Sequence, residues 1–98
     1  MTLSAISCYR GGAIDDVEPL AQALKSIYIK YGIGYRLSRV QSGPNEGDWL
    51  VIVTYADAIV YEKAQALFPQ DAELQQVFIK ISKFASRISR EMVVDVAL

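Results

Sequence analysis

The run Trp49-Leu50-Val51-Ile52-Val53-Thr54-Tyr55 is apolar on both of its alternating sets of positions. Side chains of a strand point by turns to opposite faces. Trp49, Val51, Val53 and Tyr55 therefore share one face, and Leu50, Ile52 and Thr54 the other. A strand that is apolar on both faces needs cover on both. With only 98 residues, the chain's own helices are expected to supply one cover and a second subunit the other. Composition agrees: 52% of the residues are hydrophobic and the mean hydropathy is +0.19. A domain this small buries only about 60–70% of its unfolded surface. The surplus apolar area is expected at a subunit interface or around a ligand cavity.

The rest of the chain arranges itself around that strand. Ser4 to Arg10 reads as a first strand closed by Gly11-Gly12. Val17, Leu20, Ala21, Leu24, Ile27, Tyr28 and Tyr31 recur at spacings of three and four, the stripe of an amphipathic helix. Pro19 suits a first turn, which favours Asp16 as the cap, and Gly32 suits the left-handed residue after a last turn. Tyr35 to Gln41 reads as a second strand, and Ser42 to Asp48 has hairpin-loop residues. Asp57 is placed to cap a second helical region, with Val60, Tyr61, Ala64, Leu67 and Phe68 inward and Pro69 interrupting it. Asp71 is placed to cap a third piece whose stripe is Leu74, Val77, Phe78, Ile81, Phe84 and Ala85. That stripe, Phe78 included, is expected to be core. Ile88 to Leu98 reads as the last strand, with Ile88, Met92, Val94 and Val96 on one face.

This order, β-α-β-β-α-β, is that of ferredoxin-like folds. The expectation is one α+β domain over residues 1–98, a four-stranded antiparallel sheet with its helices on one face. The chain resembles the dimeric α/β barrel superfamily, and within it the antibiotic-biosynthesis-monooxygenase-like group. The resemblance rests on the element order, the helix ending in Tyr31-Gly32, the hairpin Gly43-Pro44-Asn45-Glu46-Gly47 before Trp49, the Tyr55-Ala56-Asp57 turn and Tyr61 in the following helix. It implies two sheets closing face to face in a homodimer, with a pocket between sheet and helices in each subunit. The superfamily includes cofactor-free oxygenases, isomerases, haem-handling enzymes and proteins without known activity, so fold alone does not set function.

Several function classes are excluded or disfavoured. Ten basic against eleven acidic residues leave a net charge of −1, and the pI of about 5.3 is not that of a nucleic-acid binder. The longest apolar run falls far short of the ~20 residues of a membrane span. Met1 to Arg10 lacks the features of a signal peptide, and the single Cys8 suits a reducing, cytoplasmic setting. There is no histidine, which removes Ser-His-Asp and Cys-His catalysis and His-ligated haem or zinc. No metal or cofactor is expected.

The candidate site residues are aromatic. Tyr9, Tyr35, Trp49 and Tyr55 fall on strands and Tyr61 on the helix facing them. Aromatic walls with a few polar groups are typical of small-molecule sites, and Arg36 is the expected polar anchor, since a guanidinium offers two parallel hydrogen bonds to an acidic ligand. Tyr35 and Arg36, as strand neighbours, point to opposite faces, so the tyrosines rank above the arginine. The plainer reading also stands: aromatics fill sheet–helix cores, and Arg10, Arg36 and Arg39 sit on solvated strand positions. In the monooxygenase-like group, asparagine, tryptophan and tyrosine are associated with oxygen activation, but Asn45 equally suits its turn. Cys8 reads as a small buried hydrophobe. The expected function is binding of a small apolar or aromatic molecule in the sheet–helix pocket of a homodimer. The alternative is a cofactor-independent monooxygenase or isomerase acting on an aromatic or polyketide-like substrate.

Overall fold

A computed structural model describes residues 1–98. The chain runs β1 (Leu3–Arg10), α1 (Ile14–Lys30), β2 (Gly34–Arg39), β3 (Trp49–Tyr55), α2 (Ala58–Leu67), a one-turn 3₁₀ helix (Phe68–Gln70), α3 (Ala72–Ser82) and β4 (Ser86–Val94). The four strands form one antiparallel sheet in the order β2-β3-β1-β4. This is the α+β ferredoxin-like architecture. The second helical layer is split where Pro69 lacks the N–H that an unbroken helix would need.

The core lies between the helices and one face of the sheet. Leu24, Ile27 and Tyr28 of α1 meet Ala5 of β1, Val53 and Tyr55 of β3, and Leu74 and Val77 of α3. Leu74 is wholly enclosed, at 0% exposure. Phe78, on the same stripe, is only half-buried against this cluster. On β3 the residues facing the helices are Trp49, Val51, Val53 and Tyr55. Leu50 and Ile52 lie half-buried on the opposite face, over which no helix packs.

Local details differ from the sequence reading where a side-chain device or an irregularity intervenes. The cap of α1 is Ala13, with no side-chain hydrogen bond, and Asp15 and Asp16 sit inside the first turn. There their carboxylates oppose the positive end of the helix dipole instead of capping it. Pro19 consequently falls inside the helix, beyond its first turn. Asp57 and Asp71 do act as caps, accepting from the N–H groups of Val60 at 2.9 Å and Leu74 at 3.0 Å. Helix α3 stops at Ser82 and leaves Phe84 and Ala85 in the connection to β4.

Strand β4 starts at Ser86 and ends at Val94, earlier at both ends than the alternation of Ile88 to Leu98 suggests. Its pairing with β1 shifts by one residue: Cys8 faces Ser89 but Tyr9 faces Arg87, leaving Ile88 as the extra residue of a β-bulge. A bulge breaks the period of two. Arg87 and Arg90 therefore share a sheet face with Met92, although strict alternation separates 87 from 90.

Candidate functional site

A cavity of about 410 Å³ lies between the helical layer and the sheet. The sheet supplies its floor in cross-strand rows. One row runs Arg39–Trp49–Tyr9–Arg87 and the next Leu37–Val51–Ser7–Arg90. The space exists because the middle of strand β1 presents only the small Ala5 and Ser7 to it, with Tyr9 at the strand's end. Larger aromatics stand around them, with Tyr28 from α1, Phe68 from the 3₁₀ turn and Phe78 from α3 as roof. Hydrophobic residues make up 18 of the 24 in the lining, so the interior suits an apolar body with few polar groups.

Four of the residues singled out from sequence, Tyr9, Tyr35, Trp49 and Tyr55, line this cavity. Tyr61 stands behind the wall, its ring edge-on to Tyr55 with centroids 5.0 Å apart. Arg36 is not in the lining. It lies on the far side of β2, at a shallow depression of about 260 Å³ between β2 and α1. The alternation of Tyr35 and Arg36 along the strand separates them. The guanidinium groups that do border the cavity are Arg87 and Arg90, which the sequence conceals because no glycine or turn residue marks the bulge. Tyr28 also lines the cavity. Its place on the α1 stripe marks it as inward-facing but does not distinguish core from cavity wall.

The aromatic groups are held in place. The Trp49 indole N–H donates to the Gly12 carbonyl at 3.2 Å, and the Arg39 guanidinium lies 4.4 Å from the Trp49 ring centroid, a cation–π contact. Gly11 and Gly12 have φ of +101° and +88°. A Cβ on Gly11 would lie 2.4 Å from the Phe84 carbonyl oxygen, so this turn closes against the end of the cavity only because it has no side chain. Tyr28 stacks obliquely on Tyr35 and Phe68, with centroids 5.6 and 5.3 Å apart. The Tyr31 hydroxyl donates to Asp71 at 2.5 Å and so ties the end of α1 to the cap of α3.

Electrostatics decide what these groups can do. Burial pushes the phenols of Tyr28 and Tyr35 well above the ordinary tyrosine range, and neighbouring phenols push the same way. Burial also raises Tyr55, while the positive charge of Arg90 opposes the rise. Near neutral pH these phenols are un-ionised hydrogen-bond donors, not bases. The field of Arg90 reaches both Tyr28 and Tyr55 and favours negative charge among them.

The remaining candidates lie elsewhere. Cys8 is buried on the sheet face away from the helices, with its thiol pushed up by burial and by the nearby Asp48 carboxylate. It is therefore a poor nucleophile. Asp48 is 5% exposed and accepts two hydrogen bonds from Arg10, at 3.1 and 3.0 Å. Asn45 accepts the Asp48 N–H through its backbone carbonyl at 2.9 Å, as a turn residue does, and does not line the cavity. No three cysteine, aspartate or glutamate side chains come together as a metal-binding group. No helix is long and apolar enough to cross a membrane.

No family model matches this sequence, and no curated protein matches it by sequence. Solved structures do match its fold. A conserved protein of unknown function and possible oxidoreductase from Bacteroides thetaiotaomicron VPI-5482 has a TM-score of 0.67 at 16% identity, over 94% of this chain and 95% of that one. SnoaB, a cofactor-independent oxygenase from Streptomyces nogalater, has a TM-score of 0.66 at 10% identity, over 99% and 95%. A dimeric protein of unknown function and ferredoxin-like fold from Bacteroides fragilis NCTC 9343 has a TM-score of 0.54 at 10% identity, over 94% and 92%. Across nearly its whole length, then, this chain has the ferredoxin-like α+β fold of the antibiotic-biosynthesis-monooxygenase-like proteins.

Proposed function

We propose that this protein binds a small, flat aromatic molecule carrying an acidic hydroxyl in the cavity between its sheet and helices. The observation that carries this reading is the pairing of an aromatic, largely apolar cavity of about 410 Å³ with two arginines at its border. The rings of Tyr9, Tyr35, Trp49 and Tyr55 offer flat surfaces for stacking. The un-ionised phenols donate to a ligand oxygen. Arg90 favours the ionised form of that oxygen, because a charge-assisted hydrogen bond is roughly twice as strong as a neutral one. The protein is further proposed to act as a homodimer through the outer face of the sheet, where half-buried Ile6, Leu50 and Ile52 have no helix above them.

The test is calorimetric titration with β-naphthol, with the near-ultraviolet circular dichroism of Trp49 recorded in parallel. Binding with a changed Trp49 signal, weakened about tenfold in Arg90→Gln, is the expected result. That factor corresponds to the ~1.5 kcal/mol at the low end for hydrogen bonds to charged groups. Absence of heat and of any Trp49 change overturns the reading.

A second reading, a cofactor-independent oxygenase, is favoured by the same Arg90. Stabilising a phenolate or enolate makes the ligand itself electron-rich enough to reduce dioxygen. The similarity of fold to SnoaB supports it. Oxygen uptake matching loss of an electron-rich phenol, in buffer treated to remove metals, distinguishes this reading from binding alone.

A further inference from the structure

The depression at Arg36 is not isolated from the cavity. Ala21 of α1 and Tyr35 and Leu37 of β2 line both spaces, so one layer of side chains separates inner cavity from outer groove. Its helical member is alanine, which leaves the seam between α1 and β2 thin at that point. The outer groove is built from one helix face, since Glu18, Ala21, Gln22 and Lys25 recur at helical spacing, set against Arg36 on the strand. It holds two cations and one carboxylate. The only ion pair in the molecule with atoms within 4 Å joins Arg10 to Asp48, so Lys25 and Arg36 have no carboxylate partner. Both are exposed in the single subunit; Arg36, opposite Ile52 on the edge strand β2, stands at the rim of the face proposed for the dimer, where its long side chain can turn toward an incoming anion.

We propose that Lys25 and Arg36 form a second subsite, which receives a carboxylate at the end of a flexible chain on the ligand whose aromatic body fills the inner cavity. The inference rests on the aromatic-ligand reading and narrows it to a substrate class: aromatic acids with a side chain that passes through the α1–β2 seam. The excess of one positive charge over Glu18 suits a monoanion such as a carboxylate better than a doubly charged phosphate. Arg36 is the residue best shaped for it, because its planar fork matches a carboxylate with two parallel hydrogen bonds. Lys25, one turn beyond Ala21, sits where the chain leaves the seam.

The experiment compares three kinds of probe by calorimetry on the full protein: β-naphthol, β-naphthols carrying a carboxylated chain of acetic to hexanoic length on the far ring, and the methyl esters of those acids. At least one acid is expected to bind about tenfold more tightly than its ester. Arg36→Ala and Lys25→Ala, at exposed positions that leave folding intact, should each remove most of that preference while β-naphthol binds as before. Glu18→Gln should strengthen acid binding about twofold to fivefold, the usual scale of one exposed charge. If every acid binds like its ester, the second subsite is wrong while the inner site stands. The same holds if the preference survives Arg36→Ala and Lys25→Ala but disappears in Arg90→Gln. If neither β-naphthol nor any acid binds, the inner-site reading falls and takes this inference with it.

Discussion

Leu74→Ala and Phe78→Ala test whether the space beneath α3 is a cavity or filled core. Both residues lie on the inward stripe of the helix, four positions apart, yet their surroundings differ. Leu74 is at 0% exposure within the cluster of Leu24, Ile27, Tyr28 and Val77. Its truncation leaves a hole that a well-packed cluster cannot close, at a cost of about 3–4 kcal/mol. Phe78 is half-buried and one side of its ring borders the 410 Å³ cavity. A phenylalanine in a filled core costs ~3–5 kcal/mol on truncation. With roughly half its contacts absent to begin with, Phe78→Ala should cost only about 2 kcal/mol, because dispersion energy scales with the partners present. Urea denaturation followed by far-ultraviolet circular dichroism, extrapolated linearly at one fixed protein concentration, measures both. The two variants should also part in function. Phe78→Ala should change the affinity for β-naphthol, whereas folded Leu74→Ala should keep it. If Phe78→Ala costs as much as Leu74→Ala or more, the space beneath α3 is ordinary core and the cavity argument fails.

Gly11→Ala should cost roughly 2–4 kcal/mol, from left-handed strain plus the 2.4 Å approach of its Cβ to the Phe84 carbonyl. Gly43→Ala has a similar φ of +103° with nothing within 4 Å and should cost only about 1–2 kcal/mol; equal losses in chemical denaturation would remove the clash from the account. At acid pH, Asp48 is held below the carboxylate range by Arg10, and Asp71 by the Tyr31 hydroxyl and the Leu74 N–H. The stability they contribute is full above ~pH 4 and declines as pH falls through their lower native values. At the alkaline end, Tyr28 and Tyr35 are raised by burial and Tyr31 by its bond to Asp71. Their contribution is full below ~pH 10 and declines as pH rises through the native values, so phenolate absorbance from these tyrosines should appear together with loss of helix. Titration of Tyr28 and Tyr35 near pH 10 with helix intact would contradict the burial assigned to them. Size-exclusion chromatography with light scattering should give a dimer at micromolar concentration, since the proposed interface needs upward of ~2,000 Å²; a monomer would leave the outer sheet face unexplained.

How much of this was legible in the sequence depends on how local the signal is. The two-faced alternation of Trp49 to Tyr55 carried the position of β3, its inward set and the bare outer face, because period two survives in any regular strand. The caps at Asp57 and Asp71 were equally local, one side chain bonding the N–H three residues on. Helix α1 began earlier than Pro19 suggested, because tertiary burial of Leu24, Ile27 and Tyr28 outweighs the one hydrogen bond a proline inside the helix forfeits. The placement of Arg87 and Arg90 was not legible. It depends on a one-residue bulge in β4 opposite Cys8 and Tyr9, fixed by pairing between strands almost eighty positions apart. Arg36 was legible as a strand residue, but its choice as polar anchor set aside its alternation with Tyr35, and the structure leaves it out of the cavity lining.

The distribution of charge limits what chemistry this fold can support. Inside the cavity the polar groups are neutral, the phenols of Tyr28, Tyr35 and Tyr55 that burial keeps protonated beside the hydroxyl of Ser7 and the amides of Gln65 and Gln75, and the ionisable cations stand at its border. Neither set can take a proton from a ligand near neutral pH: the phenols already hold theirs, and an arginine guanidinium does not lose its own. A proton leaving the ligand must therefore go to water, and what the protein adds is stabilisation of the anion left behind. Such a site selects ligands by their own acidity, and in the oxygenase reading the electrons come from the bound molecule. The binding and oxygenase readings therefore share one ground state, an aromatic anion lying among Tyr28, Tyr55 and Arg90. They diverge only in whether that anion is stable to oxygen.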